Sequence, residues 1–288
     1  MAWHHLPDAN NPELDELAKR YNLHPLHVED CRSQRQRVKM EETPEYLFTV
    51  LRPVSFNPSC ELTFPMFCIF TGRDYCVTTG GAECAAVDAA VKNARELADP
   101  NRPDQVYYRL FDAVVDGYLP AIDCVSDKID DLEDVVLSNP SPDALQEIFG
   151  LKRALIDLRR VLVNTRDVGT HLQRDPGSLI SPDLAPFFRD IYDHVARNLD
   201  SVETHRDLLN GTLDVYLSSV ANRTNNVMKV LTVLSTVALP ALVISGIYGM
   251  NVKGLPFLNN PHGIWIVTGA ILLTTFALLA MLKRFGWF

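Results

Sequence analysis

Two long apolar runs dominate the pattern near the C-terminal end. Val230–Ile247 is 18 residues without a charge, and Ile264–Leu282 adds 19 more. Each is close to the roughly 20 residues that cross a hydrocarbon core. Asn251–Gly263, with Gly254, Pro256, Pro261 and Gly263, reads as the connection between them. Buried core helices of a soluble fold would show apolar runs too. Runs this long and this free of charge favour two membrane spans, at about 230–250 and 264–282, joined by an outer loop over 251–263.

Upstream the pattern is mixed. Tyr46–Arg52 and Leu62–Phe70 alternate or run apolar as strands do, and Asp74–Thr79 follows the turn Thr71-Gly72-Arg73. Asn11–Tyr21, Pro25–Cys31 and Ala82–Leu97 read as helices. After Pro103 strand signals stop. Asp104–Leu137 carries one helical pattern and Asp143–Gln173 a second. A third starts near Pro182 and continues through Asn225 into the first span, so 182–250 reads as one nearly continuous helix. Ser141 and Ser181, each followed by Pro and Asp, have the form of helix N-caps. The expected fold is therefore a membrane protein with three parts. Residues 1–100 form a cytoplasmic α/β domain, 101–224 a long-helix cytoplasmic stalk, and 225–288 a transmembrane domain.

Charge sharpens this division. The formal net charge is −9, yet residues 225–288 hold four basic residues, Lys229, Lys253, Lys283 and Arg284, and no acid; residues 1–224 therefore carry −13. Lys229 before the first span and Lys283 with Arg284 after the second place both termini in the cytoplasm. Met1–Pro12 lacks the basic and apolar regions of a signal peptide. The expected location is thus the cell inner or plasma membrane, with two passes. Cys31, Cys60, Cys68, Cys76, Cys84 and Cys124 include no CxxC pair, and read as buried free thiols in a reducing compartment. Composition excludes disorder, collagen and a disulfide-rich scaffold.

Candidate chemistry lies in two places. Asp112, Asp116, Asp123, Asp127, Asp130 and Asp134 fall on one face of the 104–137 pattern, either as a solvated face or as a cation-attracting one. In the first span Asn225, Met228, Leu231, Ser235, Leu239, Leu242, Gly246 and Gly249 recur at spacings of three and four. This stripe is polar at its ends, apolar between, and small where helices could approach. It fits a pore lining or an ordinary helix-packing face. Two spans cannot enclose a water-filled path, so a pore would need several copies. The stretch Tyr248-Gly249-Met250-Asn251 closes the span with an uncharged amide. Mg²⁺ dehydrates reluctantly, so a ring of amide oxygens could receive the hydrated ion through its waters. Carboxylates would bind more strongly and release more slowly, whereas conduction needs both entry and exit.

Gly249-Met250-Asn251 matches the signature of the CorA family of divalent-cation channels at the end of the first of two C-terminal spans. The resemblance extends through Asp214-Val215-Tyr216-Leu217-Ser218-Ser219, Asn225, Val227–Thr232, Gly246-Ile247-Tyr248, Leu23–Leu26, Val28–Cys31 and Tyr192-Asp193-His194. It implies a funnel-shaped homopentamer embedded in membrane lipid, with the first span lining the pore. It implies passive Mg²⁺ influx, with Co²⁺ and Ni²⁺ as lesser substrates, driven by the membrane potential and gated by intracellular Mg²⁺. By the same resemblance Gly249, Met250 and Asn251 form the selectivity filter. Asn225, Met228, Leu231, Ser235, Leu239, Leu242 and Gly246 line the pore, and Asp88 and Asp190 hold regulatory Mg²⁺. No enzymatic activity, organic cofactor or nucleic-acid partner is expected, and the sequence contains no Gly-rich Lys-Ser/Thr phosphate loop.

Departures leave alternatives. The outer loop reads Lys253-Gly254-Leu255-Pro256-Phe257-Leu258, with one base and no acid where many relatives carry acids. A ZntB-like zinc transporter shares the same outline. A membrane-anchored scaffold or enzyme is the alternative of another class.

Overall fold

The computed structural model describes every residue except Gln34, Ala82, Glu83, Pro100, Pro176, Asn251–Lys253, Leu258, Asn259, Trp287 and Phe288. The chain forms two compact units, Met1–Val215 and Tyr216–Phe288.

The first unit is built on a sheet. Its strands are β1 (Ala2–Leu6), β2 (Lys39–Glu42), β3 (Tyr46–Leu51), β6 (Phe67–Gly72) and β7 (Tyr75–Gly80), in the order β1-β7-β6-β3-β2. β1 runs parallel to β7 and the other neighbours are antiparallel. Every residue of β3 and β6 is buried, because both faces are covered. On one face Phe48, Val50, Cys68 and Phe70 pack with Leu14 and Leu17 of α1 (Glu13–Arg20) and with Val28 and Cys31 of α2 (Pro25–Arg32). On the other lies α4 (Pro103–Asp116), whose Tyr107 hydroxyl is 3.0 Å from the Thr49 hydroxyl.

The strand expected over Leu62–Phe70 is two strands. Pro65 cannot donate to a ladder, so it separates β5 (Leu62–Thr63) from β6. β5 instead pairs with β4 (Ser55–Phe56) in a small hairpin. β1 and β2 carried no strand signal that the hydropathy pattern revealed. Both are edge strands with polar positions, Trp3-His4-His5 and Lys39-Met40-Glu41-Glu42.

Helices α3 (Ala85–Leu97), α5 (Tyr118–Ser138), α6 (Pro142–Arg174) and α7 (Ala185–Tyr248) follow the pattern with one break. The single helix expected over Asp104–Leu137 ends at Asp116 and restarts at Tyr118. Gly117 is a weak helix former. Pro120 lacks an N–H, and its ring would crowd the carbonyl of Asp116, four residues back. The break lets the buried Tyr118 donate its hydroxyl to the Arg52 carbonyl at 2.9 Å. The aspartate row is thereby divided, with Asp112 and Asp116 on α4 and the exposed Asp123, Asp127, Asp130 and Asp134 on α5.

Beneath those exposed acids Ile122, Val125, Ile129, Leu132 and Val136 form the buried face of α5, which packs on α6. Ser141 caps α6 by accepting the Ala144 N–H at 3.2 Å. Ser181 makes no such side-chain cap. A 3₁₀ turn, Pro182–Leu184, precedes α7, and the Ser181 N–H donates instead to Asp104. Six free thiols were also expected; Cys31, Cys68, Cys76 and Cys84 are free and buried, whereas Cys60 and Cys124 form a disulfide with Cα atoms 5.9 Å apart. The two are separated by 64 residues in sequence, so spacing alone could not reveal a pairing that the β4–β5 hairpin creates.

The second unit comprises the later part of α7 with α8 (Gly263–Arg284). An 18-residue window of each helix has mean hydropathy 2.2, and none of its residues is buried. Pro240 lies inside α7, a position that membrane helices tolerate.

Candidate functional site

Within the second unit each helix has one half-buried seam. On α7 it is Val233, Thr236, Val237, Pro240, Ala241, Ile244 and Tyr248; on α8 it is Val267, Ile271, Thr275, Leu278, Leu279 and Leu282. Spacings of three and four residues mark the stripe of a helix that meets a partner. Asn225, Met228, Leu231, Ser235, Leu239, Leu242, Gly246 and Gly249 are all exposed. At 100° per residue the centre of this stripe lies about 180° around α7 from the centre of its seam. The stripe is therefore the face that α8 leaves uncovered. Leu242 is 71% exposed and Leu239 59%. Such a continuous apolar face requires lipid or further protein to cover it.

The upper end of α7 tightens. The Gly249 N–H donates to the Ser245 carbonyl at 2.8 Å, whereas the Met250 N–H reaches only three residues back, to Ile247, at 3.2 Å. A Cβ on Gly249 would lie 3.1 Å from the Ser245 carbonyl oxygen, closer than ordinary packing allows. The Tyr248 hydroxyl donates to the Pro256 carbonyl at 3.0 Å, tying the end of the helix to the connecting loop. A side chain at Gly263 would collide with the Phe257 carbonyl, so glycine lets this loop pass close to the start of α8. Gly249 and Met250 are thus placed at the helix end, while Asn251 and Lys253 lie outside the described residues.

Asp88 and Asp190 are both exposed, on the first turn of α3 and near the start of α7. They belong to no common cluster: among the described residues no group of three or more His, Cys, Asp or Glu is placed to hold a metal. Asp190 instead has a local neighbourhood. The His194 Nε2 lies 3.7 Å from Asp190 Oδ2, and its Nδ1 lies 3.6 Å from Asp116 Oδ1. Burial, and after it the Asp116 carboxylate, push the Asp112 carboxyl above the usual carboxylate range. The Tyr108 hydroxyl donates to Asp112 Oδ2 at 3.3 Å. Asp112, Asp116, Asp190 and His194 thus form an acidic patch bridged by one imidazole. The four-residue spacings of Asp112–Asp116 and Asp190–His194 were the available signal, but pairing the two helices needed the fold.

Comparison with known proteins gives a consistent result. A family model described as "CorA-like Mg2+ transporter protein" matches residues 1–284. The cobalt/magnesium transport protein CorA of Thermotoga maritima is 36% identical over 278 residues, covering 95% of this chain and 79% of that protein. The complete structure of the CorA magnesium transporter from Methanocaldococcus jannaschii superposes with a TM-score of 0.86 at 23% identity, over 99% of this chain and 90% of that one. The ZntB cytoplasmic domain from Vibrio parahaemolyticus shares the fold, with a TM-score of 0.62 at 12% identity over 76% of this chain and 88% of that one. The scaffold or enzyme alternative gives way to a transporter family. The two apolar helices are accordingly membrane spans of a protein with a cytoplasmic domain, and the chain belongs to the CorA-like Mg²⁺ transporter family.

Proposed function

We propose that this chain is the subunit of a homopentameric channel that passes hydrated Mg²⁺ into the cytoplasm. The observation that carries this reading is the stripe on α7, exposed along its length and, from Val233 onward, opposite the half-buried seam. Copies arranged with this face inward would enclose a path with polar ends at Asn225 and Asn251. Met228, Leu231 and Leu239 would form an apolar neck between them, able to close by dewetting. Ser235, Leu242 and Gly246 complete the lining. At the outer mouth Gly249, Met250 and Asn251 act as the filter, where an amide receives a strongly hydrated ion without holding it.

Transport needs no chemical fuel in this account. Two charges moving inward gain about 4.6 kcal/mol per 100 mV. Regulation is proposed to run through Asp88 and Asp190, exposed acids of different helices that meet between subunits and bind intracellular Mg²⁺. Residues 1–100 and 101–224 would then serve as sensor and stalk, and 225–288 as the pore. Co²⁺ and Ni²⁺ pass as lesser substrates.

A zinc carrier is supported by less. The likeness to the ZntB domain is one of fold, and its sequence arguments are the acid-free outer loop, Leu242 in the stripe and the short basic cluster Lys283-Arg284. Reconstitution in liposomes loaded with a Mg²⁺ dye or a Zn²⁺ dye separates the readings. Mg²⁺ influx exceeding Zn²⁺ influx at equal potential supports the channel proposed; Zn²⁺ influx alone overturns it.

A further inference from the structure

The geometry points to a redox modification site at Cys60 and Cys124, a reversible thiol–disulfide clip that fastens the β4–β5 hairpin to α5. Both residues belong to the unit that precedes the membrane spans, in the reducing cytoplasm, where a disulfide that persists unchanged is unusual and a redox-sensing one is the common case. The two Cα atoms are 5.9 Å apart, within the range a disulfide spans without backbone movement.

Three features suit reversal. Cys60 is buried and Cys124 half-buried, so Cys124 is the more accessible residue of the pair. A cavity of 690 Å³ borders the Cys60 side of the bond, lined by Ser59, Cys60 and Glu61 of the hairpin and by Lys128, Glu147 and Gly150 of α5 and α6. It is wide enough for a small thiol or disulfide. Cys60 also sits at φ 57°, in the left-handed region that disfavours a side chain, so release from Cys124 frees the turn to relax. The strands pair at two positions, Ser55 with Thr63 and Phe56 with Leu62, and the turn between them is held by Asn57, whose side-chain oxygen accepts the Ser59 and Glu61 N–H groups at 3.0 Å.

The oxidant is a low-molecular-weight cellular disulfide, RSSR. The Cys124 thiolate attacks one sulfur of RSSR, forming a Cys124–S–S–R bond and expelling one RS⁻. The Cys60 thiolate then attacks the Cys124 sulfur and expels the second RS⁻. The two protons lost by the cysteines end on the two released thiols, and RSSR is reduced to 2 RSH. Excess thiol runs the exchange backwards.

The test uses the full-length protein in lipid vesicles, equilibrated in glutathione buffers from fully reduced to fully oxidised. Samples are quenched in acid, denatured, alkylated and mapped by peptide mass. All six cysteines of the chain should be alkylated in reducing buffer, and only the four free ones in oxidising buffer, with Cys60 and Cys124 the pair lost. Amide exchange over residues 55–63 should slow about tenfold on oxidation, as expected for closing a local opening. In Cys124→Ser, Cys60 should alkylate at every ratio and the hairpin should exchange at the reduced-state rate. If that variant does not fold, the wild-type map alone decides. Six alkylated thiols throughout would overturn the bond. Four throughout would make it a permanent staple and overturn the switch, as would a hairpin whose exchange ignores oxidation. None of these readouts depends on which ion is transported.

Discussion

Asp104 on α4 accepts the backbone N–H of Ser181 at 3.1 Å, so the residue that precedes the turn into α7 is held by the start of another helix. Arg102 completes the joint: its guanidinium donates to Asp104 Oδ2 at 2.7 Å and to Asp183 Oδ2 at 2.7 Å. Burial alone would push the Asp104 carboxyl up, but the hydrogen bonds from Arg102 and Ser181 outweigh it and hold it below the usual carboxylate range.

That balance fixes the sign of a pH effect. A carboxyl whose folded pKa is depressed stabilises the fold above its unfolded value of about 4, and the contribution disappears as pH falls through the folded value. Arg102→Ala should cost about 1–2 kcal/mol at neutral pH, seen as a Tm lowered by several degrees in detergent. Asp104→Asn should lose stability at neutral pH and flatten the acid limb. An unchanged acid limb in Asp104→Asn would remove this joint from the account.

The two faces of α7 should respond differently to the same chemistry. Leu239→Ser lies on the uncovered stripe and should raise ion leak about tenfold by wetting the apolar neck, with little change in thermal stability. Val237→Ser lies on the seam and should lower stability while leaving the flux per folded channel near that of the parent. Proteoliposome flux and detergent Tm, measured on both variants, read the contrast directly. Equal effects would mean that the stripe is only a packing face.

Gly249 sits against the backbone of its own last helical turn. Ala there places a Cβ 3.1 Å from the Ser245 carbonyl oxygen. The last turn must shift by a few tenths of an ångström, so Gly249→Ala should reduce flux several-fold and Gly249→Val should nearly abolish it. Surface abundance should stay unchanged, since among the described residues no other side chain lies within 4 Å of this Cβ. Flux in Gly249→Val equal to the parent would separate the helix end from conduction.

Asp190 should matter to inhibition more than to conduction. Asp190→Ala should shift the internal Mg²⁺ concentration that halves the flux upward by about tenfold, with maximal flux retained. His194→Ala, which removes the imidazole bridging Asp190 and Asp116, should shift it less. An unchanged inhibition curve in Asp190→Ala would take that acid out of the regulatory site.

Long patterns were legible in the sequence because each rests on a period sustained over many residues. The spans, α6 and the continuity of 182–248 are of this kind. Short or edge features were not. β1 and β2 are brief and polar, and their pairing partners lie far along the chain, as in Ala2 opposite Tyr75. The break at Gly117 was present as Gly followed by Pro120, a local signal outweighed by a strong helical period on both sides. The stripe on α7 was visible as spacing, whereas its relation to α8 required the seam. For the acids the sequence supplied spacings along single helices. The approach of His194 to Asp116 depends on how α4 and α7 pack, which no spacing within one helix encodes. The Cys60–Cys124 bond is of the same type, since it joins a hairpin to a helix 64 residues away.

In the proposed channel Asn251 ends a cation path lined by the uncovered face of α7. Purified protein and its Asn251→Ala variant, reconstituted in liposomes enclosing a Mg²⁺ dye, test it under an inside-negative potential set by a K⁺ gradient. Influx should steepen with the potential in the parent and fall at least about tenfold in Asn251→Ala, at equal protein incorporation. No influx in the parent, or equal influx in the two, would contradict it.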